Sequence, residues 1–516
     1  MKFERTKNAG RNILYGGVLK VYQTLFPFLI RTVMIAYMGM EYIGLNGLFT
    51  SILQVLNLAE LGIGSAMIFS MYKPIAENDD VVICALMKLY RKYYRIVGAV
   101  VLLGGLVTVP FLHHLIKGDV PDGLNLYVLY SINLAATVLS YWMFAYKNCI
   151  LSAYQRNDIL SKVIAATTTL EYLAQLIIII CFHNYYYYLL ARVFSQILQN
   201  IITAIIASKM FPQYSPKGEL DKDSVTKINK SIKDLFTAKI GGVIVNSVDT
   251  LVISAFLGLY VLGIYNNYYY ILTSVISIMY VIFGACTAGI GNSLVTESTD
   301  KNYFDFQVFS FIICWLAGFC TCCFLCLYQP FMILWIKDEK KMFGMPEVVC
   351  FCVYFFVYEI AAMMIQYKDA AGIWHEDRYR PLITALSNLV MNIIMVRYIG
   401  VLGILLSTIL SFLFIGIPWL VRNIFKYLFK RSCWLYIKQL LIYSLIVVLS
   451  CFCSYGLCGF IYGNEYITLF IRLLICFVVS NGIYWGAFHK TQEYRHMIII
   501  VERVMSTLKV NIRSVR

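Results

Sequence analysis

Fourteen long, unbroken apolar runs constrain this chain more than any other feature. They fall at approximately 13–38, 42–70, 93–116, 124–147, 159–183, 186–209, 236–258, 262–292, 306–328, 346–367, 381–398, 400–421, 434–461 and 465–488. A bilayer core of roughly 30 Å takes about 20 apolar residues of helix. Each run is long enough, or nearly so, to cross. Inside lipid every backbone N–H and C=O must be satisfied within the protein, so only helices and closed barrels span. A barrel would show short segments that alternate apolar and polar residues. These runs are continuous, so the expectation is an all-α membrane protein of about fourteen spans. Composition agrees: 60% of residues are hydrophobic and 14% charged, against roughly 25% charged in soluble domains. So few charges cannot cover a soluble surface of this size.

The net charge of +15 would suggest nucleic acid in a soluble protein. Here its distribution says otherwise. Of 43 Lys and Arg, 34 fall in the tails and even-numbered connections, and Lys117, Lys337, Lys340 and Lys341 fall on the other side. The remaining five lie within spans. Lys and Arg accumulate on the cytoplasmic side of membrane proteins, so both termini are expected in the cytoplasm and no nucleic-acid partner is expected. The polar, basic stretch Met1–Arg11 precedes a run too long for a signal peptide, and that run is expected to remain as the first span. The sixteen cysteines sit largely inside apolar runs, such as Cys314, Cys320, Cys322, Cys323 and Cys326. There they read as small hydrophobes, and no metal-ligand spacing is evident.

The chain also repeats itself. Arg31 to Gly39, followed by Ile43-Gly44-Leu45-Asn46, aligns with Thr250 to Gly258, followed by Leu262-Gly263-Ile264-Tyr265, at an offset of 219. Tyr146-Lys147-Asn148 aligns with Tyr367-Lys368-Asp369 at 221. Two collinear matches point to duplication of a six-span unit. An even number of spans makes the repeats parallel, with substrate expected between the halves and access exchanged by rocking. The expected organisation is a six-helix lobe at 1–208, a linker at 209–235, a second lobe at 236–430, two further helices at 431–490 and a basic tail at 491–516.

The stretch Gly39-Met-Glu-Tyr-Ile-Gly44 leads into a helix that ends Glu60-Leu-Gly-Ile-Gly-Ser-Ala66. It is similar to the span 1–2 region of the polysaccharide-transporter branch of the multidrug/oligosaccharidyl-lipid/polysaccharide flippase superfamily. Fourteen spans in a six-plus-six duplication with two extra helices resemble that branch throughout. The resemblance implies a flippase of the O-antigen and capsule (Wzx) type, serving lipopolysaccharide or related surface polymers. It would move an undecaprenyl-pyrophosphate-linked glycan from the inner to the outer leaflet of a bacterial cytoplasmic membrane. It implies no cofactor and no enzymatic step. A proton or sodium ion, and a polysaccharide polymerase, are the partners it suggests. A cation-coupled drug exporter of the same superfamily is the main rival, although such exporters usually have twelve spans. Membrane transferases fit less well, because the first outer loop is only Gly39 to Tyr42.

Charge inside a span is costly and marks function. Arg31, Arg192 and Arg397 are the cationic candidates for a pyrophosphate, since guanidinium binds phosphate in a bidentate manner. Lys147 and Lys368 occupy matching ends of spans 4 and 10 and are candidates too, beside the alternative that they snorkel. Glu60, Glu171, Asp249 and Glu359 are candidate coupling or structural carboxylates. Asp249, beside the position that repeats Arg31, is a candidate partner for it. Tyr22, Gln23, Asn46, Asn246, Asn266, Asn267 and Gln366 could line a glycan pocket or bond between helices. The run Tyr185 to Tyr188 reads as an interfacial belt.

Overall fold

The computed structural model describes residues 5–118 and 120–502. Part of the basic tail, from 503 on, therefore lies outside the described residues, as does the Asn246 side chain. No strand occurs among the described residues. The spanning helices, in chain order, are α1 Arg5–Tyr37, α2 Met40–Glu77, α3 Asp80–Leu115, α4 Leu126–Ala153, α5 Asn157–Phe182, α6 Tyr185–Met210 and α7 Lys222–Leu257. They continue as α8 Leu259–Thr296, α9 Thr299–Ile336, α10 Met345–Ala370, α11 at 380–398, α12 at 401–429, α13 Trp434–Cys458 and α14 Glu465–Phe488.

Twelve continuous helices among the described residues are long and apolar enough to cross a membrane. Two of the fourteen spans escape that count for local reasons. The α4 segment is bent by 47° between Trp142 and Ala145, where Phe144 takes a left-handed conformation. The second is hidden in one continuous helical stretch, Arg380–Phe429, of 50 residues. A straight helix of that length would run about 75 Å, more than twice a bilayer core. It is broken at Ile399 and Gly400, and Gly400 has φ 58°. Asn388 donates to Thr408 Oγ1 at 2.9 Å, although a straight helix would separate the two by about 30 Å. The stretch is therefore a hairpin of two spans, and the fourteen expected from the sequence are all present.

Side-chain caps start many of the helices. Asp79, Asn125, Asn184, Asp221, Ser298 and Asn464 each accept a backbone N–H from the first turn of the helix that follows, satisfying donors the helix itself cannot. Pro346 and Pro381 occupy first-turn positions of α10 and α11, where the missing N–H costs nothing. Inside α2 the helix is interrupted by a 3-10 turn, Asn57–Glu60, and by Gly62 at φ 89°. The missing Cβ of Gly62 lets Leu235 and the Ile232 carbonyl of α7 approach.

The chain forms two compact units, Met1–Asn267 and Tyr268–Arg516. Within the first, the duplicated glycines do matching jobs. A Cβ on Gly44 would lie 2.1 Å from the Leu259 carbonyl oxygen, and one on Gly263 would lie 2.2 Å from that of Met40. Met40 and Leu259 are themselves related by 219 residues, as are the glycines before them. Gly39 has φ 119° and Gly258 φ 91°, conformations that side chains resist. The duplicated segments thus turn sharply on one glycine and cross each other, backbone to backbone, on the next. The fold is two parallel six-helix repeats with two C-terminal helices.

Candidate functional site

In the first unit, the charged and aromatic candidates of α1, α5 and α6 gather in one region. Arg31 is half-buried on α1. Its Nη1 donates to the Asn266 carbonyl and to Asn267 Oδ1, both at 3.1 Å. Gly47 makes this possible, since a Cβ there would overlap the Asn266 side chain. Asn267 is fully buried and its amide reaches Met40 Sδ. Tyr188, on α6, lies within the electrostatic reach of Arg31, Arg192 and Glu171 together. Gln175 links α5 to α6 by donating to Glu171 Oε1 and to the Tyr188 carbonyl. Tyr22 bonds Thr169, and the rings of Tyr22, Phe26 and Tyr172 stack beside it.

Arg192 itself is exposed on α6. The tyrosine run splits: Tyr187 is exposed, as a belt residue would be, whereas Tyr185 and Tyr188 are buried and stacked on each other at 5.5 Å. The result is a polar cluster of guanidinium, amide and phenol groups. Such groups can bind phosphate oxygens, hydroxyls and the faces of sugar rings.

The remaining carboxylates are dispersed. Glu60 sits at the break in α2 and accepts from Tyr94 at 3.3 Å, which in turn accepts from Tyr90. Tyr141 bonds Asn57 at the same break. Asp249 is buried in α7. In the second unit Glu359 is fully buried on α10, and neither carboxyl oxygen has a hydrogen-bond partner among the described residues. Arg397 is exposed on α11, two residues before the break.

The two lysines differ. Lys147 bonds Ser208 and keeps part of its surface exposed. Lys368 is buried between Asp369 at 2.5 Å and Asp377 at 3.4 Å. Asp377 also receives three short bonds from Arg380 and one from Asn423. This clasp was not read from the sequence, yet a signal existed. Asp158, paired with Arg156 at 2.9 Å and fully buried, lies 219 residues before Asp377, so each repeat buries a carboxylate near the start of its fifth span.

The second unit also holds an open groove of about 970 Å³. Its walls are apolar, with Ile360, Leu413, Val421 and Leu441 among them, and Arg422, Lys426, Lys430 and Arg431 line it as well. An apolar trough with a cluster of cations suits a molecule that is part hydrocarbon and part anion.

Known proteins share this fold. Among solved structures the chain is similar to the lipid II flippase MurJ in an inward closed conformation (TM-score 0.67, 15% identity, covering 94% of this chain and 100% of that one). It is similar to an inward-facing multidrug resistance MATE family transporter of the MOP superfamily (TM-score 0.63, 12% identity, 79% and 97% covered). It also resembles a MOP superfamily transporter from Pyrococcus furiosus (TM-score 0.54, 13% identity, 83% and 97% covered). No curated protein sequence matches the chain. The profile of the polysaccharide biosynthesis protein family matches residues 9–287. That is more than half of the chain, and the chain belongs to this family, with the fold of the MOP-superfamily flippases and transporters.

Proposed function

We propose that this protein is a flippase for an undecaprenyl-pyrophosphate-linked oligosaccharide, acting in synthesis of a surface polysaccharide such as O-antigen or capsule. The observation that carries this reading is the groove in the second unit. A soluble, cationic drug needs no apolar trough edged by four cations; an anionic lipid does. Family membership supports the polysaccharide side of the reading. The two helices beyond the repeat, α13 and α14, favour it over the drug exporters that share the fold.

In this account the cations of the groove receive the pyrophosphate of the incoming lipid, and Arg31 and Arg192 are the candidates to bind it and the proximal sugars during passage, beside the tyrosines and asparagines gathered in the first unit. Arg397, Lys147 and Lys368 are secondary candidates; Lys368 acts through the Asp377 clasp. Glu359 is the group most suited to carry a coupling proton or sodium ion, because neither of its carboxyl oxygens has a hydrogen-bond partner among the described residues. Glu60, Glu171 and Asp249 support the helices that move. Access alternates between the two repeats, with both termini in the cytoplasm of a bacterial cell and the substrate leaving on the outer face. The chain works as a transporter rather than an enzyme and hands its product to polymerase machinery.

The genetic test is direct. Removing the gene from its host should leave the lipid-linked glycan on the inner leaflet and strip the surface polysaccharide. Normal surface glycan with altered resistance to cationic compounds would assign the protein to drug export instead.

A further inference from the structure

Buried cysteines in the second unit form a group that neither repeat geometry nor glycan transport requires. Cys322 and Cys326 lie one turn apart on α9, so both face the same way. Cys476 of α14 packs between them. All three are at most 2% exposed, and their sulfurs lie within 4.8 Å of one another. Cys458, from the end of α13, belongs to the same cluster, with Cys323 and Cys451 half-buried at its edge. A thiol alone is an ordinary core residue. Three sulfurs converging from two helices are different. With metal–sulfur bonds of about 2.3 Å, a trigonal set spaces its sulfurs by about 4 Å, a small contraction from the spacing here.

The chemistry of the set selects the ion. No carboxylate, imidazole or amide takes part, and thiolates favour soft ions, Cu(I) among them. The buried setting adds a second condition, since net charge in a low dielectric is costly. Arg472, one turn before Cys476 on α14, addresses that cost. Its backbone oxygen accepts from Cys458 Sγ, and its Nε is buried without a hydrogen-bond partner among the described residues. Its Nη2 donates to the Ile461 carbonyl, and its charge acts on Cys458 of the cluster, so it offsets negative charge there.

We propose that Cys322, Cys326 and Cys476 form a trigonal site for a soft monovalent cation, Cu(I) or Ag(I), that pins α14 to α9. Two S–H bonds break and two thiolate–metal bonds form, while the third sulfur binds as a neutral thiol. Both protons leave to solvent, and the oxidation state of the metal does not change. The anionic complex that results, with one negative charge, lies beside the positive charge of Arg472. Cys323 and Cys451 provide the ligand-exchange route inward from the cluster's edge.

The test uses the full chain in lipid nanodiscs, reduced and without oxygen, titrated with Cu(I) against a competing chelator. Wild type should retain about one copper per chain, held by sulfur ligands only in X-ray absorption. Cys476→Ser should lose it, and Cys181→Ser, which changes an exposed cysteine of α5, should not. Surrender of all copper to the chelator, or nitrogen and oxygen in the first coordination shell of wild type, overturns the proposal without reference to any variant. Undiminished retention by a Cys322→Ser, Cys326→Ser, Cys476→Ser triple variant overturns it as well.

Discussion

At the scale of single residues, Arg31 ties α1 to α8 by donating to the Asn266 carbonyl and to Asn267 Oδ1. Arg31 stands out in any apolar run, but that it meets Asn266 and Asn267 depends on the register of α1 against α8, which short-range pattern does not encode. The same holds for Glu359, whose carboxyl oxygens have no hydrogen-bond partner among the described residues, a property of everything packed around it. Arg31→Ala should lower transport about tenfold to hundredfold, since a charge-assisted hydrogen bond is worth about 1.5–3 kcal/mol. Arg31→Lys should fall between, because ammonium keeps the charge and loses the fork. Initial rates of lipid translocation by the purified variants check both. Glu359→Met should raise thermal stability by about 1–3 kcal/mol, the usual cost of an unsatisfied buried polar group. It should also abolish any response of transport to a proton or sodium gradient. Unchanged gradient dependence in that variant would remove Glu359 from coupling.

At the scale of elements, the glycines were the most informative letters in the chain. Gly39 and Gly258 lie where hydrophobic runs end, and the matched Gly44 and Gly263 disclose the duplication within the sequence itself. What the pattern could not say is that the matched glycines touch the opposite copy, Gly44 at Leu259 and Gly263 at Met40. A Cβ at either would meet backbone, which cannot swing aside as a side chain can. Gly44→Ala and Gly263→Ala should each cost about 1–3 kcal/mol, the range for overpacking, read as a lower unfolding midpoint. Gly242, with open space around its Cβ position, supplies the control, and Gly242→Ala should leave the midpoint near wild type. The break between α11 and α12 was legible too, since Ile399-Gly400 interrupts the apolar run. The Asp377 clasp stayed hidden, because its members, Lys368, Arg380 and Asn423, are spread over three helices and look like ordinary loop-end charges.

At the scale of the molecule, span number, duplication and the two added helices followed from hydropathy and spacing, because a bilayer permits so few backbone solutions. The groove in the second unit did not. Its apolar walls are indistinguishable in sequence from lipid-facing surface, and Arg422, Lys426, Lys430 and Arg431 read there as orientation signals. Their convergence on an apolar trough is what turns a general transporter fold toward an anionic lipid. The central claim therefore rests on what crosses the membrane. The protein should be reconstituted into liposomes that carry an undecaprenyl-pyrophosphate-linked oligosaccharide, and glycan exposed on each leaflet should be measured with an impermeant lectin or glycosidase. The account predicts movement of the lipid-linked glycan between leaflets that depends on the protein and falls in Arg31→Ala. Protein-dependent efflux of a cationic dye from the same liposomes, with the glycan lipid remaining on its original leaflet, would contradict it.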